Sequence, residues 1–350
     1  MALQQEARPR GRKATREDVA ALAGTSVAVV SYVTNGGPRP VAAETRERVL
    51  RAIDELGYRP NSVAKSLASG SSGALALLVP DISNSFFATM AHALEDAVTA
   101  RGKVLLLGDA AESTNREAGL IDAFLDRQVE GLIYIGVHGQ SHANKAMVAG
   151  VPFVVLDRKT GDSHASSALV DNMGGAYEAT RHLIEHGYTR IGIVEGPAGI
   201  STAQDRVLGW EQAMAEAGLP VRDEWRARGG FTKPDGYRAG REILGSGDGP
   251  EALFVSSEQQ AIGVLLAAHK LKIRVPSDLA LFSFDGTAES EFSVPPLSTV
   301  VQPFDDLAAT AVDLLLDESA TPGAHVVCDF SLAVRESCGC RPPADTAAEA

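Results

Sequence analysis

Charged side chains stand at the ends of apolar, strand-forming runs: Asp157 and Arg158 close "FVVLDR", and Asp285 closes "LFSFDG". Parallel sheets take small molecules at the carboxyl ends of their strands, so these positions point into a ligand cleft. Carboxylates and guanidinium groups make charge-assisted hydrogen bonds with hydroxyls, and an aromatic ring covers the apolar face of a sugar-like ligand. Phe86 and Phe87 follow the first strand of the series and suit either that ring or the core. A second group lies near the start of the chain. After Ser26, the residues Val27, Ala28, Ser31 and Tyr32 fall on one side of a helical segment while Val30 and Val33 fall on the other. Short apolar side chains touch thymine methyl groups and hydroxyls reach base edges, so that side is suited to reading DNA.

The elements that must hold this second group are short. Thr15 and Asp18 have capping-box form, and Val19, Ala20, Leu22 and Ala23 supply the apolar side of a first helix that Gly24 ends. Ser26 caps a second helix running to about Asn35, where "NGGP" stops it. A third helix over 43–56 puts Val49, Ile53 and Leu56 on one face and finishes at Gly57. Two helices around a glycine turn, closed by a third, are what a helix-turn-helix requires. Thr15, Ser26 and Asn35 belong with the DNA-facing set, and Arg39 in "GGPRP" is placed for a phosphate or groove contact.

Charge supports the division. The whole chain of 350 residues carries −13, yet residues 1–70 hold eleven Lys and Arg against seven Asp and Glu. A basic head therefore precedes an acidic body, and screening beyond about 8–10 Å hides the body's charge from phosphates near the head. The first twenty residues are polar and basic with no apolar leader core, and no apolar run reaches membrane-spanning length. A cytoplasmic protein without a membrane role is expected. Cys328, Cys338 and Cys340 crowd one end, which suits a reducing compartment. A metal held by Cys338 and Cys340 needs further ligands nearby, and His138 with His142 is read as the close histidine pair; no metal or cofactor is expected.

From Ala74 onward apolar runs alternate with helical segments: "ALALLVPD", "KVLLLGDA", "GLIYIGV" and "VPFVVLDR", then "RIGIVEG", "ALFVSS" and "LALFSFDG". This alternation predicts parallel sheets with helices on both faces, in two similar lobes. The stretch from "STVVQPFDDL" to "SLAVRES" crosses between the lobes. There is no nucleophile elbow, phosphate loop or zinc-protease helix, and "GSGDG" at Gly245–Gly249 reads as a loop, so an enzyme is not expected. A ligand-binding protein with no DNA role is the rival reading, against which the basic head weighs.

The segments "REDVAALAGTSVAVVSYVTNG", "ETRERVLRAIDELGYRPNSVAKSLASG" and "LALLVPDISNSFF" resemble the lactose-repressor-like (LacI/GalR) family over nearly the whole chain. The resemblance implies an α/β protein with an N-terminal three-helix helix-turn-helix headpiece and a two-lobed, periplasmic-binding-protein-like domain with parallel sheets. It further implies a transcriptional regulator, a repressor before an activator, that binds double-stranded operator DNA as a homodimer, with a tetramer as the alternative. The tract "LGYRPNSVAKSL" matches the family's hinge helix, with Leu67 as the apolar wedge in the minor groove and Asn61, Val63 and Ala64 docking the hinge pair. It places Arg206 of "QDRVLGW" as the effector-binding arginine, Phe231 as a ring stacking on the ligand, and Ser257 at a polar ligand position. The chain departs from the family at Tyr32, where arginine is frequent, and at Ser257-Glu258, where Asn-Asp is usual. Expected domains are a disordered basic arm (1–12), the headpiece (13–60), hinge and linker (61–72), an effector-binding and dimerisation domain (73–340), and a disordered tail (341–350).

Overall fold

The computed structural model describes residues 14–35, 40–59, 71–137, 142, 144–159, 165–245, 247, 249–317, 321 and 323–340. The chain divides into two compact units, Met1–Ser72 and Gly73–Ala350.

In the first unit, α1 (Arg16–Ala23), α2 (Val27–Asn35) and α3 (Ala43–Leu56) enclose a small core of Val19, Ala20, Val30, Val33, Val49 and Tyr58. The capping box forms in full: the Asp18 N–H donates to Thr15 Oγ1 at 3.3 Å and the Thr15 N–H to the Asp18 carboxylate at 2.8 Å. Gly24 then takes the left-handed conformation, φ 61, where an L side chain is strained, and α1 gives way to α2 within three residues. The Arg48 guanidinium donates to the Ala23 carbonyl at 3.3 Å, tying α3 to the end of α1.

The second unit holds two lobes. In lobe 1 the chain runs β1 (Ala74–Val79), α4 (Ser85–Ala100), β2 (Val104–Asp109), α5 (Thr114–Asp126), β3 (Gly131–Tyr134), α6 (Asn144–Val148), β4 (Phe153–Leu156) and β5 (Ser166–Val170). It then crosses to lobe 2 for α7 (Asn172–Glu185), β6 (Ile191–Glu195), α8 (Ser201–Glu216), β7 (Arg226–Arg228), α9 (Lys233–Leu244), β8 (Ala252–Val255), α10 (Glu258–Leu271), β9 (Ala280–Asp285), α11 (Ala288–Glu291) and β10 (Ser298–Val301). It returns to lobe 1 for α12 (Phe304–Leu316) and β11 (His325–Cys328), and ends in lobe 2 with β12 (Ser331–Ala333).

The sheet orders are β11-β5-β4-β3-β1-β2 and β12-β10-β9-β8-β6-β7, and every pairing is parallel except β10 with β12. Strands such as Leu75–Val79 and Ala280–Asp285 are buried along their length because helices cover both faces. Lobe 1 is completed only by α12, whose Leu307, Ala311, Val312 and Leu315 join the core beneath β1 and α4. The short strands β5 and β7 were not anticipated. They are edge or near-edge additions of five and three residues, too brief to show a periodicity.

One expectation needs correcting. Cys338 and Cys340 do have further ligand-type neighbours, because the 336–340 segment packs against α7 beside His182 and His186. The close histidine pair of consequence is this one, one turn apart on a helix.

Candidate functional site

The carboxyl ends of both sheets face a cleft between the lobes. From lobe 1, β1 leads to Asn84, whose side chain accepts the Phe86 N–H at 3.0 Å and so starts α4. The same amide donates to the Phe231 carbonyl of lobe 2 at 3.3 Å. Further links bridge the lobes, among them Gln259 Nε2 to Ser85 Oγ at 2.7 Å, the Lys159 N–H to Ser201 Oγ at 2.9 Å and Lys159 Nζ to the Asp205 carboxylate at 2.7 Å. Asp157 directly follows β4 with φ 65 and Asp285 ends β9 with φ 107, so both carboxylates sit on strained backbone at strand ends. Such strain persists where surrounding structure enforces it, and it concentrates at binding sites.

Arg206, on the buried face of α8, is the hub of the lobe 2 side. Its Nε donates to Asn172 Oδ1 at 2.8 Å, its Nη1 to Asp285 Oδ1 at 3.3 Å and to the Ser256 carbonyl. Its guanidinium carbon lies 3.7 Å from the centre of the Phe284 ring and 5.7 Å from that of Phe231. In lobe 1, Arg158 Nη1 donates to the carbonyls of Gly136 and Val137 at 2.7 and 3.0 Å, and its guanidinium lies 5.5 Å from the Phe87 ring centre. Asp157 Oδ1 and Arg158 Nε are buried without a hydrogen-bond partner.

Burial governs the electrostatics. Desolvation raises Asp157 above the usual carboxylate range against the pull of Arg158 and Arg206. It pushes Asp285 up to about 6, with Asp157 adding repulsion and Arg206 opposing. The same burial lowers Arg206 from its ordinary value, which Asp285 and Asp157 partly restore. Two carboxylates and two guanidinium groups thus lie together with little net charge, an arrangement that suits hydroxyls better than an ion.

Phe86, Phe87, Asp157, Arg158, Arg206, Phe231 and Asp285 all line one small cavity of about 20 Å³. A larger cavity of about 200 Å³ shares Asn84, Arg158 and Phe231 with it. A depression of about 380 Å³ is lined by lobe 2 alone and holds none of Asp157, Arg158, Arg206 and Asp285; the smaller pair fits the chemistry better. Ser257 stands apart. It is the N-cap of α10, accepting the Gln260 N–H at 3.2 Å, and lines neither interlobe cavity. Its hydroxyl also donates to Gln260 Oε1 at 3.3 Å. Asn84, Asn172 and Thr202 were missed, although Asn84 is the cap residue directly ahead of Phe86 and Phe87.

In the headpiece, Ser26, Val27 and Ala28 are exposed along α2, and Ser31 and Tyr32 are half-buried, with Val30 and Val33 in the core behind them. Ser26 accepts the Val29 N–H at 3.3 Å. The Thr15 hydroxyl is taken up by the capping box. Asn35 ends α2. Arg39, Asn61, Val63, Ala64 and Leu67 lie outside the described residues.

Residues 15–61 match "Bacterial regulatory proteins, lacI family", and residues 180–338 match "Periplasmic binding protein-like domain". Catabolite control protein A of Priestia megaterium is 36% identical over 301 residues, covering 85% of this chain and 90% of its own. The chain belongs to the LacI family of bacterial regulatory proteins. The HTH-type transcriptional repressor PurR of Escherichia coli O1:K1 / APEC is 34% identical over 311 residues, 87% of this chain and 90% of its own. Among solved structures, the Lac repressor bound to ONPG in the repressed state superposes with a TM-score of 0.82 at 25% identity, covering 93% of this chain and 100% of its own. The transcriptional regulator CelR–cellobiose complex gives 0.69 at 30% identity, with 93% and 99% covered. As a LacI-family member the chain is a DNA-binding transcriptional regulator with an effector-binding domain, and these relatives are regulators, not enzymes. Among the described residues no helix is long and apolar enough to cross a membrane.

Proposed function

We propose that this LacI-family chain is a cytoplasmic, homodimeric repressor whose interlobe cleft takes a sugar or a related polyhydroxylated metabolite. Two headpieces, residues 13–60, read the half-sites of a pseudo-palindromic operator through Val27, Ala28, Ser31 and Tyr32, and the 61–72 tract is the hinge between head and body. The reading rests above all on the cleft. Opposed carboxylates and guanidinium groups from two lobes surround one cavity beside Phe231, and Asp157 Oδ1 and Arg158 Nε lack partners that ligand hydroxyls supply. The likeness to a regulator solved with cellobiose supports a carbohydrate. A ligand spanning the cleft shifts the lobes and lowers operator affinity by roughly 1–3 kcal/mol, about 5- to 150-fold.

The test is operator binding by the full chain across a titration of mono- and disaccharides, beside Phe231→Ala. Phe231 is partly exposed in the cleft, so its truncation is expected to keep DNA affinity and shift the response to about tenfold higher ligand, near 1.4 kcal/mol. A chain whose DNA affinity answers to no carbohydrate, or a variant that responds at the wild-type concentration, overturns the cleft assignment. Residues 73–350 alone are expected to lose operator binding, and full-chain binding is expected to weaken steeply with salt as phosphate contacts release counterions.

A further inference from the structure

Away from the cleft, α7 carries its Asn172 end toward Arg206 and its other end toward the chain's closing segment. His182 and His186 are four residues apart on this helix and so share a face, their ring centres 4.7 Å apart. The segment that meets them is a short turn, Glu336–Cys338, followed by Gly339 and Cys340. Gly339 adopts φ 94, and a Cβ there would lie 2.8 Å from the Tyr188 hydroxyl oxygen. Glycine is thus required between the two cysteines, and the turn it permits aims both sulfurs at the same pair of rings.

Cys338 Sγ lies 3.4 Å from His182 Nε2, and Cys340 Sγ lies 3.6 Å from His182 Nε2 and 2.9 Å from His186 Nε2. All four donor atoms fall within 4.8 Å of one another. A tetrahedral zinc ion with bonds of about 2.3 Å to sulfur and 2.0–2.1 Å to nitrogen separates its donors by roughly 3.3–3.8 Å. Thiol–imidazole hydrogen bonds would account for one pair at a time. They do not account for four donors of the zinc-binding types converging from segments about 150 residues apart.

The surroundings hold the donors in place. Ser337, next to Cys338, accepts the Ser298 N–H at 2.8 Å and donates to the Leu281 carbonyl at 2.8 Å, fixing the turn on the lobe 2 sheet. His182 stands edge-on to Phe282 at 5.3 Å. Cys338 is fully buried while His186 is exposed, so the cluster is anchored on the core side and open to ion entry on the other. Support of this kind orients ligands and raises metal affinity.

We propose that His182, His186, Cys338 and Cys340 form a tetrahedral zinc site that clasps the 336–340 segment to α7. Binding releases the two thiol protons, so a dication meets two thiolates and two neutral imidazoles. The clasp bears on the same helix whose first residue orients Arg206, yet it stands whatever the cleft binds.

The experiment uses the full chain, stripped with a chelator under reductant and titrated with cobalt(II) as a spectroscopic stand-in for zinc. One equivalent per chain is expected to give the visible ligand-field bands of tetrahedral cobalt and thiolate charge transfer in the near ultraviolet, both abolished by added zinc. Cys340→Ser and His186→Ala alter partly or fully exposed positions and are expected to lose these bands with the fold intact by circular dichroism. Cys328→Ser, in lobe 1, is expected to keep them. Zinc is expected to raise the thermal midpoint of the wild type and not of the two site variants. Absence of tetrahedral bands in the reduced wild type, or their survival in a Cys340→Ser, His186→Ala double variant, overturns the proposal.

Discussion

The two lobes contribute charge to the same cleft in different ways. In lobe 2 the charged groups are bound to one another: Arg206 holds Asn172, Asp285 and the Ser256 carbonyl, and Asp285 also accepts from Gln302 Nε2 at 3.1 Å and from the Glu258 N–H at 3.3 Å. Among the described residues its unpartnered buried atoms are neutral, on Trp210, Ser256 and Gln302. In lobe 1 the unpartnered atoms belong to charged groups, Asp157 Oδ1 and Arg158 Nε, and Asp157 approaches Arg158 Nε only to 3.8 Å. Buried charge without a partner is costly, and a ligand relieves that cost where it supplies the missing hydrogen bonds. Lobe 2 is therefore the preorganised anchor, and lobe 1 is the side that gains most from occupancy.

The sharpest break of this comparison is Arg206→Ala. Removing one partner of a buried pair leaves Asp285 and the Ser256 carbonyl exposed to an apolar interior, a loss of about 3–5 kcal/mol. Chemical denaturation should show that loss even without ligand, so this variant weakens the fold as well as the response. A stability near wild type would mean that the lobe 2 network is not an energetic anchor.

A smaller effect separates pH from ligand. Burial raises Glu258, which accepts from the Thr287 N–H at 2.9 Å and from the Thr287 hydroxyl, from its ordinary 4.5 to about 7. The native state thus keeps a proton that the unfolded chain gives up, and stability falls as pH climbs through this window. Asp285, raised to about 6, acts in the same direction from a lower start. Glu258→Gln should remove roughly half of the fall, on the order of 2 kcal/mol, leaving the Asp285 part. Thermal midpoints measured across that pH range check it; an unchanged slope would place the titration elsewhere.

The smallest expected effect is on the other side of the cleft. Asp157→Asn deletes a desolvated charge with few bonds of its own, so the thermal midpoint at neutral pH should hold or rise slightly. Effector affinity should nevertheless drop about tenfold, because a charge-assisted bond of roughly 1.5–3 kcal/mol becomes a neutral one. A marked loss of stability would erase the contrast between the lobes.

What could be read in advance follows the range of the interactions. The headpiece is local: a capping box, a glycine turn and valines three apart are all visible within a few residues, and α3 spans 43–56 as its periodicity indicates. Strand ends were equally readable, since an apolar run stopped by Asp157 or Asp285 fixes position along the sheet. Side-chain direction was not: nothing in the sequence around Ser257 shows that its hydroxyl caps a helix. Neither the Asn172–Arg206 bond nor the approach of Cys338 to His182 leaves a local trace, because each joins residues that only the folded chain brings together.

The order of the chain through the lobes also has a consequence for synthesis. Lobe 2 is contiguous from Asn172 to Val301 apart from β12 and the 336–340 turn, so most of its core is present once Val301 has emerged from the ribosome. Lobe 1 begins first and finishes late, since its core waits for Leu307, Ala311, Val312 and Leu315 of α12 and its sheet for β11. At roughly 5–20 residues per second, that wait is on the order of ten seconds, with the inner face of α4 uncovered throughout. Of the two lobes, nascent lobe 1 therefore leaves apolar surface uncovered the longer.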